Sequence, residues 1–455
     1  MLYLLKEEQL SETIPEMTQY NSNNSWNLNW NNGNLNNNNK NNNNYVRAFA
    51  EFQEKMEEKD YTIPLEDVLT AYYDCRRNKR RTMNALSFEV GYEEKCVELW
   101  RELNERTYEI GKSITFVVTK PKPREIFAAD FRDRIVHHLI ANRLEPLFER
   151  TFIEDTYNCR KGKGTLYGIR RLAYKVLTIS RGYTEDCWIA KFDMKGFFMS
   201  IHKPTLNRML QSFIDREYEG KGKDLLKWMV EKVVMHCPEK NCIRKSPLKM
   251  WNLIGEGKSL FASGDDYGLA IGNLTSQMFA NFYLHEFDRL MTRGFEGYGR
   301  YVDDFFIVSR NKEEILSSIE GMRDWLNGHL GITLHPDKFY LQHYSKGVKF
   351  TGMVVKPGRT YVGNSTRANF VSKIRSFNRL AEKPCYASEQ NVLHFVSFMN
   401  SYLGFFKHHR TYHIRHDLMK VVSPAWWKVS SFTGGASKIT ANRKYKLKFK
   451  QPCYK

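Results

Sequence analysis

Two apolar, β-prone runs that carry aspartate where the run breaks constrain this chain more than any other feature. They are WIAKFDMKGFFMSI at residues 188–201 and GRYVDDFFIVS at residues 299–309. The first reads as a strand that ends by Gly196, with Asp193 near its close. The second reads as two short β-prone segments flanking Asp303 and Asp304 in a tight hairpin. Carboxylates presented by rigid strand ends can hold two Mg²⁺ ions, one activating an attacking hydroxyl and one steadying a leaving pyrophosphate. That is the chemistry of nucleotidyl transfer. Tyr-x-Asp-Asp alone is a weak signal, because exposed turns often hold two aspartates. The chain supplies its own control in SGDDYG, where Asp265 and Asp266 lack flanking apolar strands and read as loop.

A chain of 455 residues, 42% hydrophobic and 14% aromatic, can bury a substantial core, which predicts roughly two to four subdomains. Seventy Lys+Arg against 51 Asp+Glu leave a formal charge of +19. Such an excess fits a polyanionic partner, above all nucleic acid, with a solvated basic surface as the alternative. The eight cysteines, Cys75, Cys96, Cys159, Cys187, Cys237, Cys242, Cys385 and Cys453, are scattered without a small-domain framework. Reduced thiols in a cytoplasmic protein are therefore expected. Cys237 and Cys242 beside His236 lack a second ligand pair at usable spacing, so zinc is not expected. The opening MLYLLKEEQL turns acidic early and reads as no signal peptide, and no apolar run approaches the length of a membrane span.

Residues 1–50 form an Asn-rich extension, in which residues 21–44 are too polar to offset the entropy of ordering and are expected to be disordered. Residues 51–180 read as a helical lead-in, with a basic knot at Arg76, Arg77 and Lys79, followed by a strand broken at Pro121 and Pro123 and an amphipathic helix from about Asp130. Residues 181–362 mix strands and helices, residues 363–430 are helical, and residues 431–455 read as a basic tail rich in lysine, including Lys444 and Lys446. The order is that of an α+β protein.

The succession KPREIFAADFRDRIVHHL, WIAKFDMKGFFMSI, GLAIGNLTSQMFANFYL, RYVDDFFIVS, GITLHPDKFYL and KFTGMVV resembles the ordered motifs of reverse transcriptases, over about residues 112–360. The resemblance implies a right-hand polymerase with fingers (51–180), palm (181–362, with returning fingers segments) and thumb (363–430). It also disfavours the Gly-Asp-Asp pair as catalytic, because in right-hand polymerases the catalytic hairpin follows the GNLTSQ helix and Asp265 and Asp266 precede it.

Carried over residue by residue, the resemblance implies that Asp193, Asp303 and Asp304 bind the two Mg²⁺ ions. Arg124 matches the fingers arginine that lies over the incoming base and touches the triphosphate, tasks suited to a guanidinium, with Lys120 assisting. Phe198 matches the aromatic gate that excludes a ribose 2′-hydroxyl, with Phe197 beside it as a core neighbour. Lys338 matches a lysine that protonates the leaving pyrophosphate. Lys161 and Lys163, on the Gly-rich loop of DTYNCRKGKGT, suit phosphate contact, as do Arg76, Arg77, Lys79, Lys444 and Lys446.

Where most such enzymes carry Gln-Gly and Ser-Pro, this chain has Ile271-Gly272 and Ser276-Gln277, a pattern that looks like the reverse transcriptases of diversity-generating retroelements, a group similar to group II intron enzymes. An apolar Ile271 replaces an amide that grips the nucleotide, and weaker positioning lowers discrimination between right and wrong base pairs. In that family the errors fall opposite template adenines. The implied partners are dNTPs, the element's template RNA, the cDNA/RNA duplex and a small basic accessory variability determinant.

The asparagines fit the same reading at the level of the gene. Asparagine codons carry adenine at two positions, and substituting those adenines yields many amino acids but no stop codon. Residues 20–47 look like the tail of a C-type-lectin-fold variable protein in its unmutated template form. Two rivals stand: a faithful bacterial reverse transcriptase of intron or defence type, and a maturase-like RNA-binding scaffold without catalysis.

Overall fold

The computed structural model describes residues 62–77, 82–119, 122–408, 411–433 and 437–442, and the backbone of two further strands. Those strands, β1 (Asn24–Asn29) and β2 (Asn34–Asn39), pair antiparallel with Leu28 opposite Leu35. They fall in the stretch whose polar composition predicts no ordered structure; the Asn32-Gly33 between them is a hairpin-turn sequence.

The architecture is organised by one four-stranded antiparallel sheet, built from β5 (Trp188–Asp193), β7 (Gly299–Tyr301), β8 (Asp304–Ser309) and β9 (Tyr340–His343) in the order β7-β8-β5-β9. Side chains alternate across a strand, and here both faces are covered. Ala190, Phe192, Phe305 and Ile307 enter the larger core, whereas Ile189, Phe306 and Val308 enter the second. That is why FFIV is a continuous apolar run rather than an alternating one.

The larger core packs helices against one face. Helices α1 (Leu65–Arg76), α2 (Met83–Glu89) and α3 (Tyr92–Asn104) gather around α4 (Phe131–Thr151), whose Asp130 caps its first turn by accepting from the Arg132 amide at 3.1 Å. On the second face lie α5 (Thr165–Ile179) and the helical C-terminal region. Helices α6 (Lys203–Glu217) and α7 (Lys223–Met235) pair with each other on the first side.

Two smaller sheets flank the palm. The fingers sheet joins β3 (Ser113–Val118), β4 (Arg124–Ala128) and β6 (Cys242–Arg244) in the order β4-β3-β6. The insertion preceding the Ile-Gly motif thus folds back onto the fingers, and buried Glu125 ties it there by accepting from Trp251 Nε1 (2.7 Å), Ser259 Oγ (2.8 Å) and the Leu260 amide (2.8 Å). Strands β10 (Val348–Phe350), β11 (Met353–Lys356) and β12 (Arg359–Val362) form the other sheet, at the root of the thumb.

The thumb-like helices α8 (Asn364–Ala381), α9 (Glu389–Phe406) and α10 (Tyr412–Lys420) bury Phe377, Phe395 and Trp426 against one another, with Phe395 and Trp426 stacked at 4.4 Å. The segment expected to be a basic tail from residue 431 is instead a hairpin through Ala441. Strands β13 (Ser430–Thr433) and β14 (Lys438–Ala441) pair, and Asn400 brackets Ile439 by accepting from its amide and donating to its carbonyl, both at 2.7 Å. The correction has a simple cause: Ile439 and Ala441 alternate onto the core while Lys438 faces away. Among the described residues no helix is long and apolar enough to cross a membrane.

Candidate active site

Strand pairing places the carboxylates. Asp193 closes β5 and stands opposite Asp304, the first residue of β8, and Asp303 sits in the turn that joins β7 to β8. Asp193, Asp304 and Lys191 extend the row of side chains that buries Ile189, Phe306 and Val308, so they occupy the thumb-facing side where the core gives way to solvent.

Burial, then the charges of Asp304 and Asp193, push the Asp303 carboxyl up to about 6, and Arg124 acts in the opposite direction. Asp304 is also raised, chiefly by burial, with Lys191 Nζ at 3.1 Å from its Oδ1 opposing the shift. Lys338 forms an ion pair with Asp193. Carboxylates on a rigid frame, two of them already beside lysine ammoniums, offer hard oxygen donors of the kind a divalent cation takes.

The other expected site residues divide clearly. Arg124 opens β4 on an exposed position, close enough for its charge to reach Asp303. Phe197 is 3% exposed in the main core, so no nucleotide reaches it, whereas Phe198 is half-buried with its ring edge-on to Phe197 at 5.6 Å. The Phe198 carbonyl accepts from the Leu269 amide at 2.9 Å, and the Ile271 carbonyl accepts from the Phe127 amide at 2.8 Å. The Ile-Gly loop therefore bridges the gate segment and the fingers strand. Gly272 has φ +133°, and a Cβ there would run into the Phe127 carbonyl oxygen, so only glycine allows this approach. Gln277, on the helix Leu274–Tyr283, is exposed and accepts from Cys159 Sγ at 2.9 Å.

The candidate phosphate contacts are less uniform. Lys161 is exposed, with Glu145 3.9 Å away, but Lys163 is largely covered and held by Glu154, donating to its carbonyl at 2.6 Å. Its ammonium is thus engaged in a local ion pair rather than free in solvent. Arg76 pairs with Glu89 and Arg77 with Asp74 at 2.9 Å, the latter exposed. Lys120, Lys79, Lys444 and Lys446 lie outside the described residues.

Sequence reasoning passed over Lys191, whose signal was its place two residues before Asp193 on the same strand face. It also passed over Cys237 as a partner of Glu239 and Asp265, whose donor atoms all lie within 4.8 Å of one another. Cys242, expected to be its nearest candidate partner, donates instead to the Glu239 carbonyl at 3.6 Å. Lys203 donates to Cys237 Sγ at 3.2 Å and Lys240 pairs with Asp265, so both groups already face ammonium partners.

A palm sheet presenting paired aspartates, with a fingers sheet and a helical thumb, defines a right-hand α+β polymerase. Residues 118–355, just over half of the chain, match the family model for reverse transcriptase (RNA-dependent DNA polymerase), and the chain belongs to that family. It is 24% identical over 265 residues to the protein YkfC of Escherichia coli (strain K12), a match covering 51% of this chain and 62% of that protein. The chain thus spans less than two thirds of this relative's length. Similar solved structures include apo telomerase from Candida tropicalis truncated from its C-terminal domain, at TM-score 0.40 and 13% identity, covering 56% of this chain and 55% of that one. Telomerase from Candida albicans in complex with a TWJ fragment of telomeric RNA matches at TM-score 0.40 and 11% identity, covering 72% and 60%.

Proposed function

We propose that this chain copies an RNA template into DNA and misincorporates opposite template adenines, diversifying a target gene through mutagenic retrohoming. The observation that carries the reading is the Ile271-Gly272 loop, seated between Phe198 and the fingers strand that begins at Arg124. Its half-exposed isoleucine offers the nucleotide pocket an apolar, β-branched surface where a polar grip would otherwise act. Selectivity depends on differential transition-state binding, so a weaker grip narrows the gap between right and wrong pairs.

In this reading Asp193, Asp303 and Asp304 hold two Mg²⁺ ions, which when bound activate the primer hydroxyl and neutralise the leaving pyrophosphate. Arg124 orients the triphosphate, Phe198 excludes a 2′-hydroxyl, and Lys338, already beside Asp193, stands where a leaving group needs a proton. The template RNA, the cDNA/RNA duplex and a small basic accessory protein are the partners. The Asn-rich segment at residues 20–47 derives from template-repeat DNA and matters chiefly as nucleic acid.

The test is cDNA synthesis by purified protein on its own element's RNA, with and without the accessory protein, followed by sequencing of every product. Errors concentrated at template adenines and lost with Asp303→Ala are expected. Faithful product would leave a reverse transcriptase of intron or defence type, and activity indifferent to Asp303→Ala would favour the scaffold reading.

A further inference from the structure

The turn that presents Asp303 is held in a conformation its own sequence disfavours. Val302 has φ +60°, in the left-handed region, where a β-branched residue is a genuine outlier. Such conformations are costly and persist only where surrounding structure over-determines them. Here both polar groups of the Val302 residue are gripped from outside the turn. Its amide donates to Asn158 Oδ1 at 3.0 Å, and its carbonyl accepts from Arg300 Nη1 at 2.9 Å.

Both grips rest on fixed supports. Arg300 is fully buried and bidentate on Asp288, at 2.6 and 2.5 Å, with Tyr298 donating to the same carboxylate at 2.6 Å. Asn158 is 4% exposed, and its carbonyl accepts from Asn281 Nδ2 at 3.3 Å. The loop that carries it is anchored at one end by Asp155, paired with Arg171 at 2.6 Å and Lys175 at 2.8 Å. At the other end Arg160 donates to Glu149 at 2.9 Å and to the Ile153 carbonyl at 2.6 Å. Between these anchors the adjacent Cys159, itself at φ +54°, donates to Gln277.

From this geometry we infer that Asn158 is a positioning residue: its side-chain amide fixes the strained Val302 peptide and thereby aims Asp303 at the metal site. The inference rests on the polymerase reading of Asp193, Asp303 and Asp304, and adds to it a residue from the fingers loop. Through neighbouring residues that one loop fixes both the metal-binding turn and Gln277 of the Ile-Gly motif. A Gly at 302 reaches φ +60° without strain, which makes the role separable from ordinary packing.

The experiment compares wild type, Asn158→Ala, Val302→Gly, the double variant and Asp303→Ala in two assays, Mn²⁺ binding followed by electron paramagnetic resonance and primer extension resolved into kcat and KM. The expected result for Asn158→Ala is a loss of about tenfold or more in kcat, with dNTP KM little changed and Mn²⁺ bound several-fold more weakly, because a displaced ligand misplaces the reacting groups. Val302→Gly in the Asn158→Ala background should recover much of both losses. Equal Mn²⁺ affinity in wild type and Asn158→Ala, or no recovery in the double variant, overturns the inference. Asn158→Asp, which keeps an acceptor for the Val302 amide, should fall nearer to wild type than Asn158→Ala; the reverse order counts against the clamp. Should wild type make no cDNA, the polymerase reading fails by itself, while the Mn²⁺ series still ranks the variants and decides the positioning role.

Discussion

The chain carries the dipeptide Asp-Asp twice within 40 residues of sequence, and the two copies could hardly differ more in their surroundings. Asp303 and Asp304 are half-buried at the end of a sheet packed on both faces, opposite Asp193 and beneath a fully buried arginine network. Asp265 and Asp266 are exposed on a loop, with Lys240 paired to the first and the Lys203 amide donating to the carbonyl of the second at 2.7 Å. The same two residue types are half-buried carboxyls pushed up by burial and neighbouring charge in one place, and solvent-exposed groups, the first of them paired with a lysine, in the other. What differs is the low-dielectric frame, which makes proximity of like charge expensive and a divalent cation correspondingly favourable.

Substitution should separate the two pairs most sharply. Asp303→Ala is expected to lower polymerisation on the order of a thousandfold, since it removes direct stabilisation of developing charge. Asp265→Ala should leave primer extension essentially at the wild-type rate. Loss of extension in Asp265→Ala at normal folding would break the comparison.

A second, smaller contrast lies in stability. Arg300→Met strands the Asp288 carboxylate in the interior and should cost about 3–5 kcal/mol in denaturant unfolding. Lys240→Ala, which removes the exposed partner of Asp265, should leave the unfolding midpoint where it is. Combining Arg300→Met with Asp288→Leu should recover part of the loss, because it removes the stranded charge.

The Ile-Gly loop gives a milder effect. Ile271→Gln should reduce errors at template adenines by about tenfold, the order of discrimination that one pocket contact supplies, read by sequencing cDNA. An unchanged error spectrum would detach fidelity from this residue.

Acidification yields the smallest contrast. His137, buried on α4, contacts Thr275 Oγ1 at 2.6 Å beneath the Ile-Gly motif. Burial, and then the nearby charges of His138, His236 and Arg134, lower it from 6.5 to about 3. The unfolded chain takes up this proton first, so folded stability is intact above pH 6.5 and falls as pH drops toward 3, by about 1.4 kcal/mol per pH unit from this one group. His137→Gln should flatten the pH dependence of the melting temperature by that share. Asp265, held low by its hydrogen bond to Lys240, contributes no comparable loss between pH 6.5 and 5.

Much of this was legible in the residues. The β-prone runs around Asp193 and Asp303 became paired strands, because continuous apolar stretches bounded by turns specify a sheet buried on both faces. The rejection of Asp265 and Asp266 as a strand hairpin rested on the same local pattern, and both residues lie on an exposed loop. Phe197 and Phe198 could not be separated by type, since both are aromatic and adjacent; only the direction of each side chain puts one in the core. Lys163 and Arg76 read as free cations, but their partners, Glu154 in a turn and Glu89 at the end of α2, meet them only in the folded chain.

By itself the sequence determined the central strands and helices and their order, though not the hairpins at its two ends, and it marked Asp193, Asp303, Asp304 and the Ile271-Gly272 segment, because local hydrophobic patterning and turn chemistry act over a few residues. Tertiary structure alone decided that Asn158 reaches Val302 across 144 positions, that Lys338 meets Asp193 across 145, and that Arg300 is sealed against Asp288. Those contacts join segments far apart in the chain, and their strength comes from burial that exists only once both cores have closed around the palm sheet.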